Sequence, residues 1–296
     1  MKPSSCILLS TGRAASTAIY NYIAQAGQLQ LPSNKEPHYL CDIYAYNGLY
    51  DLIKKIHISD KNSYFDLYSE SPVLIDGSCG YFFSMEDVQN NLDALPEKPF
   101  GIFLYREPVS RAISLYSEKR RKQLTQADSI YNDMAKAEGL EDGLWWEHYY
   151  DNVFYDEFFK RIIETFDQVL AVNYDYFAAN PKDTLSTILH YLSIEPLKLD
   201  ELDFAPLNSS REARLAIYVR ENAVLARLMR FFPSPIKRWS LKKLLRLQSS
   251  LSLFDLSSGT PDPKIIETYL SESVAEYKRF RSRIGYQDVY LHETAP

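Results

Sequence analysis

Four short apolar runs, at residues 6–10, 73–76, 100–105 and 168–172, are each bounded by turn-forming residues. Three of them lead into stretches of helical periodicity, the pattern of strands buried on both faces of a parallel sheet. After the first run, Ala18, Ile19, Tyr22, Ile23 and Ala26 recur at helical spacing. After the second, Ser84-Met-Glu-Asp87 reads as a capping box opening a helix to about Leu95. After the third, Pro108 suits a first helical position, and Val109, Ala112, Ile113 and Tyr116 share one face. A helix from about Asp151 to Phe166 precedes the fourth run. Asn180-Pro181 then starts another, with Leu185, Ile188, Leu189 and Leu192 inside. Strands alternating with helices predict a three-layer α/β sandwich around a central, mainly parallel sheet.

The 296 residues suit one α/β unit, with the α/β core over residues 1–200 and a helical C-terminal part over 201–296. Helices are expected at about 211–232 and 263–283, with a Ser- and Pro-rich loop at 249–263. A net charge of −6 argues against a nucleic-acid binder, while leaving room for a local basic pocket. Cys6, Cys41 and Cys79 form no CxxC pair and point to a reducing, cytoplasmic setting. The five histidines lack metal-ligand spacing, so no metal site is expected. No apolar run is long enough to span a membrane, and the start of the chain reads as a strand rather than a signal peptide.

Two places carry chemistry. Ser10-Thr-Gly-Arg-Ala-Ala-Ser-Thr17 is a small-residue turn between the first strand and its helix. Backbone N–H groups at such a helix start, with Arg13 and the hydroxyls of Ser16 and Thr17, suit an anion. The turn is P-loop-like but lacks the Walker A lysine. The second place is Arg106, at the carboxyl end of the third strand, with Ser114 eight residues on in the following helix. Together they suit one phosphate, unless Arg106 pairs instead with Glu107 or another acid at the surface. Two anion sites on adjacent strand ends suggest a ligand with two separated phosphates.

These segments are similar to those of sulfotransferases that use 3′-phosphoadenylyl sulfate (PAPS). Thr11-Gly-Arg-Ala-Ala-Ser-Thr17 resembles their 5′-phosphosulfate loop, and Tyr105-Arg-Glu-Pro-Val-Ser-Arg-Ala-Ile-Ser-Leu-Tyr116 their 3′-phosphate motif. Lys35-Glu-Pro-His-Tyr39 resembles the base-bearing segment of the heparan and bacterial polysaccharide branch. Ile75-Asp-Gly-Ser-Cys-Gly-Tyr81 resembles an acceptor-lining segment, and Val169-Leu-Ala-Val-Asn-Tyr-Asp-Tyr176 with Asn180-Pro181 a further strand and helix of the family. The resemblance covers roughly residues 5–195, with an echo at 207–210 and in the last helix.

The resemblance implies a donor pocket of Thr11, Gly12, Arg13, Ala14, Ala15, Ser16, Thr17, Arg106, Ser114 and Tyr174, and release of adenosine 3′,5′-bisphosphate. It implies catalysis by Lys35, Arg13 and Glu36 as general base, with His38 the alternative base. An acceptor hydroxyl would lie among Glu36, His38, Asp76, Ser78 and Tyr81. The base segment favours a carbohydrate or glycolipid acceptor over another small-molecule alcohol. A closed pocket is expected to make Glu36 more basic. Three departures stand out: Ala15 replaces a usual glycine, Gly77 stands where many relatives carry lysine, and Cys79 where many carry proline. The second leaves the transferring group short of positive charge unless Lys35 or Arg13 supplies it. A non-catalytic nucleotide-binding module and a small-molecule P-loop kinase are the competing readings. The basic stretch Arg230, Lys237, Arg238, Lys242, Lys243 and Arg246 reads first as a solvated helix face, with a membrane or acidic acceptor second. Trp145-Trp146 reads as a lid, a sugar platform or core.

Overall fold

The computed structural model describes residues 5–41, 57–82, 84–95, 97–122, 125, 127, 129–138, 154–204 and 262–293. Strands β1 (Ser5–Ser10), β2 (Leu74–Asp76), β3 (Phe100–Tyr105), β4 (Gln168–Asn173) and β5 (Val289–Glu293) form one sheet in the order β2-β1-β3-β4-β5. β1 pairs in parallel with β2 and β3, and β3 with β4, while β5 runs antiparallel to β4. Chain order reverses between β1 and β3. A crevice opens at such a point beyond the carboxyl ends of the strands.

The helices are α1 (Ser16–Gly27), α2 (Lys61–Asp66), α3 (Met85–Asn91), α4 (Pro108–Lys122), α5 (Ile130–Glu138), α6 (Tyr155–Thr165), α7 (Tyr174–Ala179), α8 (Pro181–Tyr191), α9 (Pro263–Tyr269) and α10 (Ser271–Arg283). The twofold alternation of strand side chains builds the three layers. Cys6, Leu8, Ile102, Leu104, Leu170 and Val172 meet Ile19 and Ile23 of α1 and Leu185, Ile188 and Leu189 of α8. On the opposite face Ile7, Leu9, Phe103, Tyr105, Val169 and Ala171 meet Val88 of α3, Phe159 and Ile162 of α6 and Phe280 of α10. Each fully buried aliphatic or aromatic side chain contributes about 1.5–3 kcal/mol. A smaller cluster joins α4, α5, α9 and α10 through Ala112, Ile130, Met134, Ile266 and Leu270.

The observed elements differ from the expected ones in several places, and α2 and α5 are helices the sequence did not announce. Ser84 does not cap α3; its hydroxyl donates to the Gly80 carbonyl in the preceding 3₁₀ turn (Cys79–Phe82). The single helix expected over 263–283 breaks at Leu270 into α9 and α10. Asn173 starts an unexpected α7 by accepting from the N–H groups of Asp175 and Tyr176. The C-terminal part is not helical throughout, because Val289–Glu293 closes the sheet edge. The sequence features at 145–146, 207–232 and 237–246 lie outside the described residues. So do residues 249–261 of the expected loop, and residues 151–153 before α6. Among the described residues, no helix is long and apolar enough to cross a membrane.

Candidate active site

The turn between β1 and α1 holds three residues in the left-handed region: Gly12 at φ 70°, Arg13 at 56° and Ala15 at 66°. Successive residues of this kind turn backbone N–H groups into a shared anion-binding hollow. α1 carries no side-chain cap, so its first-turn N–H groups are left for a ligand. Ala15 adopts the conformation a glycine takes without strain, at about 1–2 kcal/mol. The loop is tied down at Thr11, whose N–H donates to the Leu104 carbonyl at 3.0 Å. Thr11 is buried and the Ala14 methyl lies in the core, so these two offer backbone rather than side chains. Ser16 is half-buried, and Thr17 is exposed on the first turn of α1.

α4 presents the second anion site. Its first turn is capped by Glu107, which accepts from Val109 N–H at 2.9 Å and Ser110 N–H at 2.7 Å. That engages the carboxylate that might have paired with Arg106. Arg106 instead donates to the Arg13 carbonyl at 3.1 Å and lays its guanidinium 4.0 Å over the Tyr174 ring. Its buried Nε has no hydrogen-bond partner among the described residues. Arg13 Nε donates to Ser114 Oγ at 3.2 Å, so the two anion sites share a wall. Two supports escaped the sequence reading. Fully buried Arg111 donates to the Thr11 carbonyl at 3.3 Å, and the Tyr155 hydroxyl donates to the Arg106 carbonyl at 2.5 Å. The signal for Arg111 was its place one helical turn past Glu107, aimed back at the sheet.

Residues 35–41 form the third wall. Lys35 Nζ contacts Gly77 O at 3.1 Å, Ser16 Oγ at 3.3 Å and Glu36 Oε1 at 2.7 Å. Lys35 thus brings a positive charge to the β1–α1 loop in addition to that of Arg13. A Cβ at Gly77 would approach Lys35 Cγ to 3.1 Å and Cδ to 3.2 Å. The glycine at this position leaves room for the Lys35 stem. Glu36 is partly open, with 27% of its side chain exposed, whereas His38 behind it is fully buried. His38 Nε2 stands 3.8 Å from Glu36 Oε2.

The electrostatics of Glu36 run opposite to the sequence expectation. Burial raises its pKa, but the Lys35 charge and hydrogen bond, with smaller help from Cys79 and His38, outweigh burial and hold it below the usual range. Burial lowers His38 to about 4 against the attraction of Glu36, so its imidazole is neutral near pH 7.

Asp76, Ser78 and Tyr81, expected to line the acceptor, are all fully buried. Asp76 accepts from the Ser78 N–H and hydroxyl at 3.0 and 2.6 Å, and from the hydroxyls of Tyr81 at 2.7 Å and Tyr64 at 3.0 Å. Ser78 Oγ in turn accepts from His38 N–H at 2.8 Å, and the Tyr81 hydroxyl from Leu40 N–H at 3.0 Å. The three therefore set the position of the Glu36 loop from behind.

Burial raises Asp76 from 3.8 to about 6, against the lowering effect of its four donors. The folded chain therefore keeps this proton over a range where the unfolded chain has lost it. Its stabilisation is present below about pH 4 and fades as pH rises through about 6. Two pH units correspond to about 3 kcal/mol. In denaturant unfolding, the stability difference between wild type and Asp76→Asn should shrink by about that amount from pH 4 to pH 7. A difference independent of pH would mean the carboxylate is already ionised at pH 4.

The fold is similar to that of solved sulfotransferases. The structure is similar to that of a sulfotransferase from Alicyclobacillus acidocaldarius, with a TM-score of 0.56 and 21% sequence identity, over 79% of this chain and 98% of that one. It also matches the sulfotransferase domain of the Synechococcus PCC 7002 olefin synthase, at a TM-score of 0.43 and 15% identity, over 83% and 95% of the two chains. No protein-family model and no curated protein sequence matches the chain.

Proposed function

We propose that this chain is a PAPS-dependent sulfotransferase acting on a hydroxyl of a carbohydrate or glycolipid. One observation carries the reading: Arg106, stacked on Tyr174 with its buried Nε unpartnered, abuts the β1–α1 loop through the Arg13 carbonyl. A buried guanidinium donor without a partner is costly unless a ligand meets it. A nucleotide with a 3′-phosphate at Arg106 and Ser114, and a phosphosulfate on the loop amides, fits the two sites. PAPS supplies an activated sulfuryl group on a phosphate leaving group. Arg13, Lys35 and the loop N–H groups neutralise negative charge at the loop, as positioning and electrostatics do in phosphoryl transfer.

Glu36 takes the proton from the acceptor hydroxyl, since it is the open carboxylate and His38 is shielded behind it. In the resting site Lys35 holds the Glu36 pKa down. When an anion on the loop draws Lys35 toward Ser16, Glu36 loses its partner and gains basicity. Basicity thus arrives with the donor. The carbohydrate assignment rests on the likeness of residues 35–39 to the polysaccharide branch. Lys35 beside Ser16 weighs against the reading as a binding module that has lost its catalytic charge.

The test is thermal stability with adenosine 3′,5′-bisphosphate, set against 5′-AMP and ATP with magnesium. Ligand at about 100 times its Kd adds about 2.7 kcal/mol, a Tm rise of several degrees for a chain of this size. The bisphosphate should stabilise selectively, and Arg106→Ala should erase that preference. Equal stabilisation by 5′-AMP would remove the 3′-phosphate site. A preference for ATP with magnesium would reopen the kinase reading.

A further inference from the structure

The spacing of histidines and cysteines along the chain points to no metal site, yet the fold gathers one in space. One ligand atom each from Glu36, His38 and Cys79 lies within 4.8 Å of the other two. Glu36 is divided between two directions, with Oε1 on Lys35 and Oε2 toward His38 Nε2. His38 is fully buried, and among the described residues its Nε2 makes no hydrogen bond. The ring is fixed from several sides. The His38 backbone N–H donates to Ser78 Oγ, Cys41 Sγ lies 3.9 Å from Nδ1, and a Cβ on Gly80 would reach Nδ1 at 2.8 Å. Cys79 opens the 3₁₀ turn that follows Ser78. The imidazole is therefore held immobile, with its bare nitrogen turned toward a carboxylate oxygen and a thiol.

We propose that Glu36, His38 and Cys79 form a binding site for a divalent cation of the zinc class, which shuts the active site by claiming the Glu36 carboxylate. One nitrogen, one oxygen and one sulfur ligand suit Zn²⁺ and its spectroscopic substitute Co²⁺, whereas Mg²⁺ and Ca²⁺ demand oxygen-only shells. Metal–ligand distances of about 2.0–2.3 Å set tetrahedral ligand separations of about 3.3–3.8 Å. The oxygen–nitrogen edge already stands at 3.8 Å, and small side-chain rotations of Glu36 and Cys79 close the others. On binding, the thiol proton passes to water and the thiolate completes the set. Glu36 and Cys79 are partly exposed, which leaves the fourth position to water. His38 is a ligand here and not a base, which accounts for a buried imidazole held behind the proposed catalytic carboxylate.

The binding step does not depend on the sulfotransferase reading; only the inhibition does, and the two are measured separately. Co²⁺ added to the full chain should give the near-ultraviolet charge-transfer absorption of a cobalt–thiolate bond, and Zn²⁺ should displace it. Cys79→Ser should abolish the absorption and weaken Co²⁺ binding by more than about 100-fold, beyond the loss expected for an outer-shell partner. Cys41→Ser should keep the absorption. Glu36→Gln should keep it with weaker binding, which separates ligand loss from misfolding. Absence of the absorption in the wild type, or its survival in Cys79→Ser, would overturn the site. Zn²⁺ should also stop sulfuryl transfer reversibly, with chelator restoring it. A cobalt–thiolate spectrum in a chain that Zn²⁺ leaves fully active would overturn the shut-off. The same spectrum in a chain with no affinity for adenosine 3′,5′-bisphosphate would leave the metal site standing while the nucleotide reading falls.

Discussion

Glu36→Gln should lower turnover by about 100-fold or more while affinity for adenosine 3′,5′-bisphosphate is almost unchanged. The amide keeps the shape of the side chain while removing its charge, the ion pair with Lys35 and the ability to take a proton. Glu36 does not belong to either anion site; its contacts are Lys35, His38 and Cys79. His38 offers no replacement, because it is fully buried behind Glu36 and shielded from an acceptor. The pH profile adds a second check. A carboxylate base is active when ionised, so rate is lost as pH falls through its pKa. For kcat/KM, which reports the free enzyme, the acid limb should lie below the usual carboxylate range, since Lys35 lowers Glu36 there. For kcat, which reports the loaded site, the limb should move up if the donor draws Lys35 away. Unchanged turnover in Glu36→Gln would remove the base assignment, and coincident limbs would remove the Lys35 exchange.

Much of the sheet was legible because β1, β3 and β4 are buried on both faces and read as unbroken apolar runs between turns. The edge strand β5 was not, since Val289-Tyr-Leu-His-Glu293 is half-exposed and pairs on one side only. The loop after β1 could be read locally, as could Arg106 and Ser114, because strand ends and the following helix fix them within a few residues. Residues 35–39 were placed by resemblance and not by pattern. Their position is set by Asp76, Ser78 and Tyr81, about forty residues on, through bonds that no local period announces. For the same reason Asp76 looked like an acceptor contact when it is the buried centre of that network. Cys79 and His38 meet only because Ser78 binds the His38 backbone, so counting ligand spacings along the chain could not find them.

The second large effect concerns where the proposed catalytic lysine comes from. Lys35→Ala should lower kcat by about 10²–10³-fold, the usual loss when one donor to developing charge is removed. Lys35 Nζ lies within reach of Ser16 Oγ and the Gly77 carbonyl, at the mouth of the hollow formed by Gly12, Arg13 and Ala15. Many relatives that the sequence resembles carry a lysine at position 77 instead. The two placements crowd each other here: a side chain at 77 would begin 3.1 Å from Lys35 Cγ and 3.2 Å from Cδ, and the Lys35 stem would have to shift. Gly77→Lys in the wild type should therefore impair turnover by pushing the Lys35 stem aside. In the Lys35→Ala background the same change meets no stem, and the new ammonium can reach the hollow from β2. The double variant should regain at least about tenfold over Lys35→Ala, a coupling of about 1.4 kcal/mol between neighbouring sites. Such a sign reversal cannot arise from two independent losses of stability. If Lys35→Ala keeps near wild-type kcat, the charge at the loop comes from Arg13 and the backbone alone. If Gly77→Lys is harmful in both backgrounds, position 77 is closed by packing, and the exchange of lysines between the two loops is wrong.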